Sequence, residues 1–230
     1  MDLVEMLINF GLTRQEANIY MLLFAEGELN GYEVSKRTGI SRSNTYNALA
    51  GLVEKGAAYV IEGNAVMYTP VSIEEFCDNK IRFMEKIKSD LISSIPKRRV
   101  ESDAYITIKS EKHIIDKVKN MLIEARERVY ISLARERVEE LLPELEVLRE
   151  REIKIVIITN PTFNFKGAKI YHSDKSPEQV RLIVDSKKVL TGEIQDKQNS
   201  TCLYSTNNNL VKVFKEALRN EIKIIEIEKG

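Results

Sequence analysis

The chain has 230 residues, 43% apolar and 30% charged, with 35 basic and 35 acidic side chains. That composition describes one large or two ordinary globular domains rather than a disordered chain, and the net charge of zero gives nucleic-acid binding no general support. No apolar run is long enough to span a bilayer, the N-terminal MDLVEMLINFG has no signal-peptide pattern, and Cys77 and Cys202 are too few for a disulfide framework or zinc site, so a cytoplasmic protein is expected.

Residues 2–10 predict a short amphipathic helix with Leu3, Met6, Leu7 and Phe10 on one face, ended by Gly11. Thr13 and Glu16 form a capping box that opens a helix to about Ala25, with Ala17, Tyr20, Met21 and Phe24 inward, closed by Gly27. Asn30 and Glu33 form a second box. Val34 faces inward, Gly39 turns a left-handed corner and Ile40 plugs it. Ser41 then caps a helix whose Leu49, Leu52 and Val53 share a face. Asn30 to Gly56 therefore predicts a helix-turn-helix. Its second helix presents Arg42, Ser43, Asn44, Tyr46 and Asn47 away from the apolar stripe.

Those residue types suit a major groove: Arg can fork onto guanine, Asn onto adenine, and Ser and Tyr can reach phosphate. Lys36 and Arg37 on the first helix join the candidate DNA-contact set. The alternative is a helical hairpin with a solvated polar face. Residues 1–70 carry five basic and eight acidic side chains, yet Lys36 to Lys55 holds four bases against Glu54 alone. Binding would rely on that local patch, so weak non-specific affinity is expected.

Ala57 to Ile61 and Val66 to Thr69 predict two strands joined by a turn at Gly63-Asn64, a hairpin placed as a wing, with Asn64 at its tip as a further candidate contact. Helices followed by a hairpin make a winged helix. More closely, GLTRQEANIYMLL, VSKRTGISRSNTYNALAGLVEKGA and the closing YTPVSIEEF resemble the TrmB-like family of transcriptional regulators over about the first third of the chain. The wing tip departs from that pattern, carrying Glu62, Gly63 and Asn64 where such hairpins often carry a basic residue.

Ser72 and Glu75 predict a third capping box, opening a helix to about Ile95 before Pro96. Ile73, Cys77, Ile81, Met84, Leu91 and Ile95 follow a narrow seam interrupted by Lys88. A narrow seam suits a dimer-forming coiled coil, with packing onto the chain's own C-terminal half as the alternative. A dimer would read a pseudo-palindromic operator on double-stranded DNA. Lys97, Arg98 and Arg99 form a basic linker. The expected domains are 1–71 (winged helix-turn-helix), 72–99 (dimerisation helix) and 100–230.

The last of these predicts an α/β domain. Strands are expected at Ala104–Ile108, Val129–Leu133, Ile153–Thr159, Ala168–Tyr171, Val180–Asp185, Lys188–Glu193 and Thr201–Ser205. Helices are expected at Lys112–Ala125, Arg137–Arg149 and Asn209–Asn220, with a last apolar segment at Glu221–Ile227. The alternation predicts a mostly parallel sheet covered on both faces. VRLIVDSKKVLTGEI resembles the strand, Asp turn, strand and Gly of the phospholipase D-like family, whose catalytic motif is His-x-Lys, four residues, then Asp. Aligned on Asp185, Glu178 stands at the His position, Val180 at the Lys position and Gly192-Glu193 at the Gly-Ser step. The scaffold is expected without its chemistry.

No catalytic residue, cofactor or metal is therefore expected. His172 near Asp174 reads as ordinary surface, and the chain's other histidine, His113, does not start the motif. The resemblance to TrmB-like regulators implies a sensor for a sugar or another small metabolite, although sugar-binding members carry a further C-terminal segment that this shorter chain is expected to lack. Loops after Leu133, Thr159 and Tyr171 are the expected effector site, with Arg135, Asn160 and His172 as its polar groups. A phosphodiesterase or nuclease of the phospholipase D type, and a winged helix that binds protein, are the competing readings.

Overall fold

The computed structural model describes residues 2–96, 104–195 and 199–228. The expected basic run Lys97, Arg98 and Arg99 lies outside them. The chain divides into two compact units, Met1–Arg98 and Arg99–Gly230.

The first unit opens with α1 (Leu3–Asn9) and α2 (Arg14–Glu26). A two-residue strand, β1 (Leu29–Asn30), leads into α3 (Gly31–Thr38) and α4 (Arg42–Glu54). β2 (Ala58–Ile61), β3 (Met67–Pro70) and α5 (Ile73–Ser94) follow. The capping boxes at Thr13/Glu16 and Asn30/Glu33 are both formed reciprocally, satisfying amides that a helix start leaves unpaired. Tyr20, Leu23, Val34, Leu49, Leu52 and Phe76 fill the core, and the buried Tyr20 hydroxyl donates to the Val71 carbonyl at 2.8 Å.

Three expectations change in this unit. Phe24 is 53% exposed, on the open side of an apolar groove it lines with Leu3, Met6 and Met21. The hairpin connection spans residues 62–66 rather than a two-residue turn, and β1 adds to β3 to give a three-stranded sheet ordered β1-β3-β2. Ser72 does cap α5 by accepting from the Glu75 amide, but the Glu75 carboxylate accepts from the Tyr59 hydroxyl at 2.7 Å instead of closing the box.

The second unit begins with β4 (Ile106–Lys109), α6 (Glu111–Ile123) and β5 (Arg128–Leu133). Next come α7 (Arg135–Glu139), α8 (Leu142–Glu150), β6 (Lys154–Thr159) and β7 (Ala168–His172). β8 (Gln179–Val184), β9 (Lys188–Glu193), β10 (Thr201–Ser205) and α9 (Asn208–Glu228) complete it. One seven-stranded sheet runs β4-β10-β9-β8-β5-β6-β7. Ile131, Leu133, Ile157, Leu182 and Leu190 face a core shared with α6, α7 and α8. Val156, Ile158, Ile183 and Tyr171 face a smaller core under α9.

The expected mostly parallel sheet is not what forms. Only β5–β6 and β6–β7 are parallel, and the other four ladders are antiparallel. The reason is connection length. β5 and β6 are parallel across the crossover through α7 and α8, and β7 stays parallel after the helix-free loop 160–167, but the tight link between β8 and β9 allows only an antiparallel return. β8 and β9 are joined at Asp185 (φ 51°) and Ser186 (φ 55°), a pair of left-handed residues that suits a tight antiparallel hairpin. The expected helix over Arg137–Arg149 is two helices, with Pro143 in the first turn of α8, where its missing amide costs no hydrogen bond. The expected final apolar segment is the second half of α9, which runs unbroken for 21 residues.

Candidate nucleic-acid interface and effector groups

Helix α4 owes its orientation to what it buries. Thr45, Ala48, Leu49 and Leu52 are turned to the core. The turn before it is pinned at Ile40, whose carbonyl accepts from Ser35 Oγ at 2.8 Å and whose amide donates to Thr38 Oγ1 at 3.3 Å. Arg42, Ser43, Asn44, Tyr46 and Asn47 are consequently all exposed, as are Lys36 and Arg37 on α3 and Asn64 in the hairpin connection.

Their surroundings separate them. The Arg42 guanidinium lies 5.0 Å from the centroid of the exposed Tyr32 ring, which orients it while leaving its donors free. Arg37 is already engaged, its Nε 2.8 Å from a Glu26 carboxylate oxygen. Lys55, counted above in the basic patch, turns the other way and pairs with Glu16 at 2.6 Å. The patch therefore reduces to Lys36 and Arg42. Tyr46 packs on the start of α3, where a Cβ at position 31 would stand 2.5 Å from its ring, so Gly31 is what lets the ring lie there. Tyr32, which steadies Arg42, was missed in the sequence; its place two residues after the Asn30 cap was the available signal.

In the second unit, the three expected effector groups come together at the ends of β5, β6 and β7, but they use their polar atoms on one another. Asn160 Oδ1 accepts from the Arg135 amide at 3.1 Å, and its Nδ2 donates to the Lys175 carbonyl at 3.2 Å. Arg135 reaches Glu139 and Thr162, each at 2.6 Å. His172 Nδ1 stands 3.3 Å from the Asn160 carbonyl. Asn160 thus clasps two loops. A cavity of about 420 Å3 lies beside Arg135, Glu139, Leu142, Thr162, Phe163 and Asn164, without Asn160 or His172.

The residues aligned with the hydrolase motif are structurally employed. Val180 is buried in the core on the α6 side of the sheet. Asp185 accepts from three successive backbone amides, Arg126, Glu127 and Arg128, at 2.8–3.0 Å. Burial works against that carboxylate's charge. The three amides, with Lys187 nearby, outweigh it and hold the carboxyl below its ordinary value. Among the described residues no group of three or more His, Cys, Asp or Glu could hold a metal, and no helix is long and apolar enough to cross a membrane.

Residues 6–74 match the family model described as sugar-specific transcriptional regulator TrmB, and residues 104–220 match that of the TrmB effector-binding domain, N-terminal subdomain. The chain is 27% identical to the uncharacterized protein YrhO of Bacillus subtilis, over 99% of this chain and 87% of YrhO. It is 26% identical to the HTH-type sugar sensing transcriptional regulator TrmBL1 of Pyrococcus furiosus, over 69% of this chain but only 48% of that longer protein. Among solved structures it is similar to TrmBL2, an archaeal chromatin protein, at 20% identity and a TM-score of 0.47, with 96% of this chain and 97% of that one covered. It is also similar to NucT from Helicobacter pylori at 14% identity and a TM-score of 0.42, covering 52% of this chain and 96% of NucT. At those scores neither structural likeness bears on function.

Proposed function

The chain belongs to the TrmB family of transcriptional regulators, and on that premise we propose that it is a homodimeric, sequence-specific DNA-binding regulator with a non-catalytic sensor domain. The observation that carries this reading is the division of α4 into a buried apolar face and an exposed polar one bearing Arg42, Ser43 and Asn47. In this reading Arg42 reads a base edge, Lys36, Ser43 and Asn44 hold phosphates, and Asn64 touches the backbone beside the groove. Tyr46 serves mainly to pack α4 on α3, and Arg37 contributes only when released from Glu26.

The dimer forms along α5. Ile81, Met84, Leu91 and Ile95 keep alternating three- and four-residue steps around Lys88, and each is between 48% and 61% exposed in the single chain. An apolar stripe of that length is normally covered by a partner. The sensor reading of the second unit takes support from Val180, a core residue at the position where hydrolysis would need an exposed cation. The effector is a sugar or another small metabolite.

Selection of DNA from a random pool by the full chain, followed by salt-matched gel shifts of the selected site with Arg42→Ala, tests this. The expected result is a pseudo-palindromic consensus and a variant weakened by about 1–3 kcal/mol. No enrichment over random sequence, or an unweakened variant, would overturn it. A protein-binding winged helix is the second reading, favoured by the exposed apolar hairpin side chains Tyr59, Val60, Ile61 and Val66. Equal affinity for random and selected DNA across a salt series would support it.

A further inference from the structure

We propose that the groove between α9 and the sheet in the second unit is a binding site for a small organic anion with a flat or apolar body. Its use as the effector site rests on the regulator reading above. The cavity holds about 320 Å3, the lower end of the range that encloses small metabolites. Its floor is apolar and aromatic, made by Tyr130, Ile183 and Ile222, with the buried ring of Tyr171 beside them. Its rim is cationic. Lys215, Arg219 and Lys223 step by four residues along α9, so they stand on one side of the helix above that floor.

The charge balance at the rim suits an anion: three cations against the single carboxylate Glu226. Lys175 and Arg181, near the same helix, both pair with Glu221 and leave that carboxylate no part in the groove. Among the described residues Glu226 is the one carboxylate lining this groove, and it is committed elsewhere. It accepts from the Tyr171 hydroxyl at 3.0 Å and stands 3.6 Å from Lys169 Nζ. Among the described residues Lys215, Arg219 and Lys223 have no ion-pair partner. Three like charges along one edge of a small apolar cavity repel one another, and an anion seated between them relieves that repulsion while its ring covers the tyrosines. A neutral ligand would leave the rim uncompensated. A long polyanion would not enter a cavity of this size.

The test uses the full chain, with phenyl phosphate as the probe and benzyl alcohol and inorganic phosphate as its two halves. Calorimetric titration reads affinity, and methyl NMR shifts of Ile183, Leu218 and Ile222 read location. Saturable binding of phenyl phosphate is expected, with shifts at those three residues, weaker binding of inorganic phosphate and none of benzyl alcohol. Arg219→Gln with Lys223→Gln should weaken it by about tenfold or more, the size expected for losing charge-assisted hydrogen bonds. Lys212→Gln, on the same helix but outside the groove, should leave it unchanged. These are exposed side chains, so circular dichroism should report an unaltered fold. Failure to saturate, equal binding to the double variant, or shifts confined to other residues would overturn the proposal. Operator binding by the ligand-free chain is scored separately: its loss would remove the regulator reading and leave the anion site standing, and the converse result would do the opposite.

Discussion

The Glu16 carboxylate lies 2.6 Å from Lys55 Nζ, on the inner side of α4, in the space left by Gly51. It also accepts from the Thr13 amide at 2.6 Å, so one buried side chain caps α2 and ties it to the end of α4. A Cβ at position 51 would stand 2.2 Å from Glu16 Oε1.

Helix propensity alone makes Gly51→Ala stabilising by about 1 kcal/mol. The steric term opposes it, because Oε1 has to swing aside and does so at the expense of the bonds that Oε2 makes to Lys55 and to the Thr13 amide. Breaking a buried network of this kind costs about 1–3 kcal/mol, discounted here because Lys55 is one-third exposed. Urea unfolding at pH 7 should therefore show Gly51→Ala less stable than wild type. In a Glu16→Ala background, where nothing occupies the space, the same substitution should become neutral or stabilising.

That clasp also marks where sequence reasoning stopped. The boxes at Thr13/Glu16 and Asn30/Glu33 were legible because capping is decided within four residues. The buried face of α4 was legible because its period is local. That the Glu16 carboxylate would also bind Lys55, 39 residues on, was not, and neither was the Arg37–Glu26 pair. Both depend on how α2 meets α3 and α4. Strand direction in the second unit failed for the same reason: alternation of strands and helices suggests parallel pairing, while the short links around β8, β9 and β10 decide otherwise. Arg135, Asn160 and His172 do lie at one sheet end, but the hydrogen bonds that occupy them depend on loop geometry no pattern encodes.

The second prediction concerns acid stability. Glu16 and Asp185 are both held below their ordinary pKa. For Glu16, burial pulls upward and is outweighed by Lys55 and Thr13; for Asp185, burial is outweighed by the three amides. A carboxyl depressed on folding stabilises the native state above its unfolded pKa, about 4, and that contribution fades as pH falls through the folded value. Stability should therefore drop from about pH 4 downward. Asp185→Asn should be less stable at pH 7 and lose less between pH 5 and pH 3. Denaturant midpoints measured across that range check it; a parallel loss in both proteins would count against Asp185.

The third prediction addresses the dimer. Lys88 sits exposed in the middle of the apolar stripe on α5. If two such stripes face one another, Lys88→Leu replaces a pair of ammonium groups with buried methylenes, worth at least about 1 kcal/mol per copy. Sedimentation equilibrium should show a dissociation constant lowered at least tenfold. Ile81→Glu with Met84→Glu should give a monomer. A double variant that sediments as wild type would place the interface elsewhere.

The last prediction turns on the pair that silences Arg37. Its guanidinium is held by Glu26, so Arg37→Ala should cost less DNA affinity than Arg42→Ala, although both residues are exposed cations one helix apart. Glu26→Gln should act in the opposite sense. It removes an acid from the face and frees Arg37 for a phosphate, and each added phosphate contact steepens the dependence of log affinity on log salt by about 0.9. Random-sequence DNA reports this most cleanly, because a backbone contact carries no sequence information. A salt series on the Glu26→Gln protein with a slope no steeper than wild type would mean that α3 stands too far from the phosphates for Arg37 to reach them.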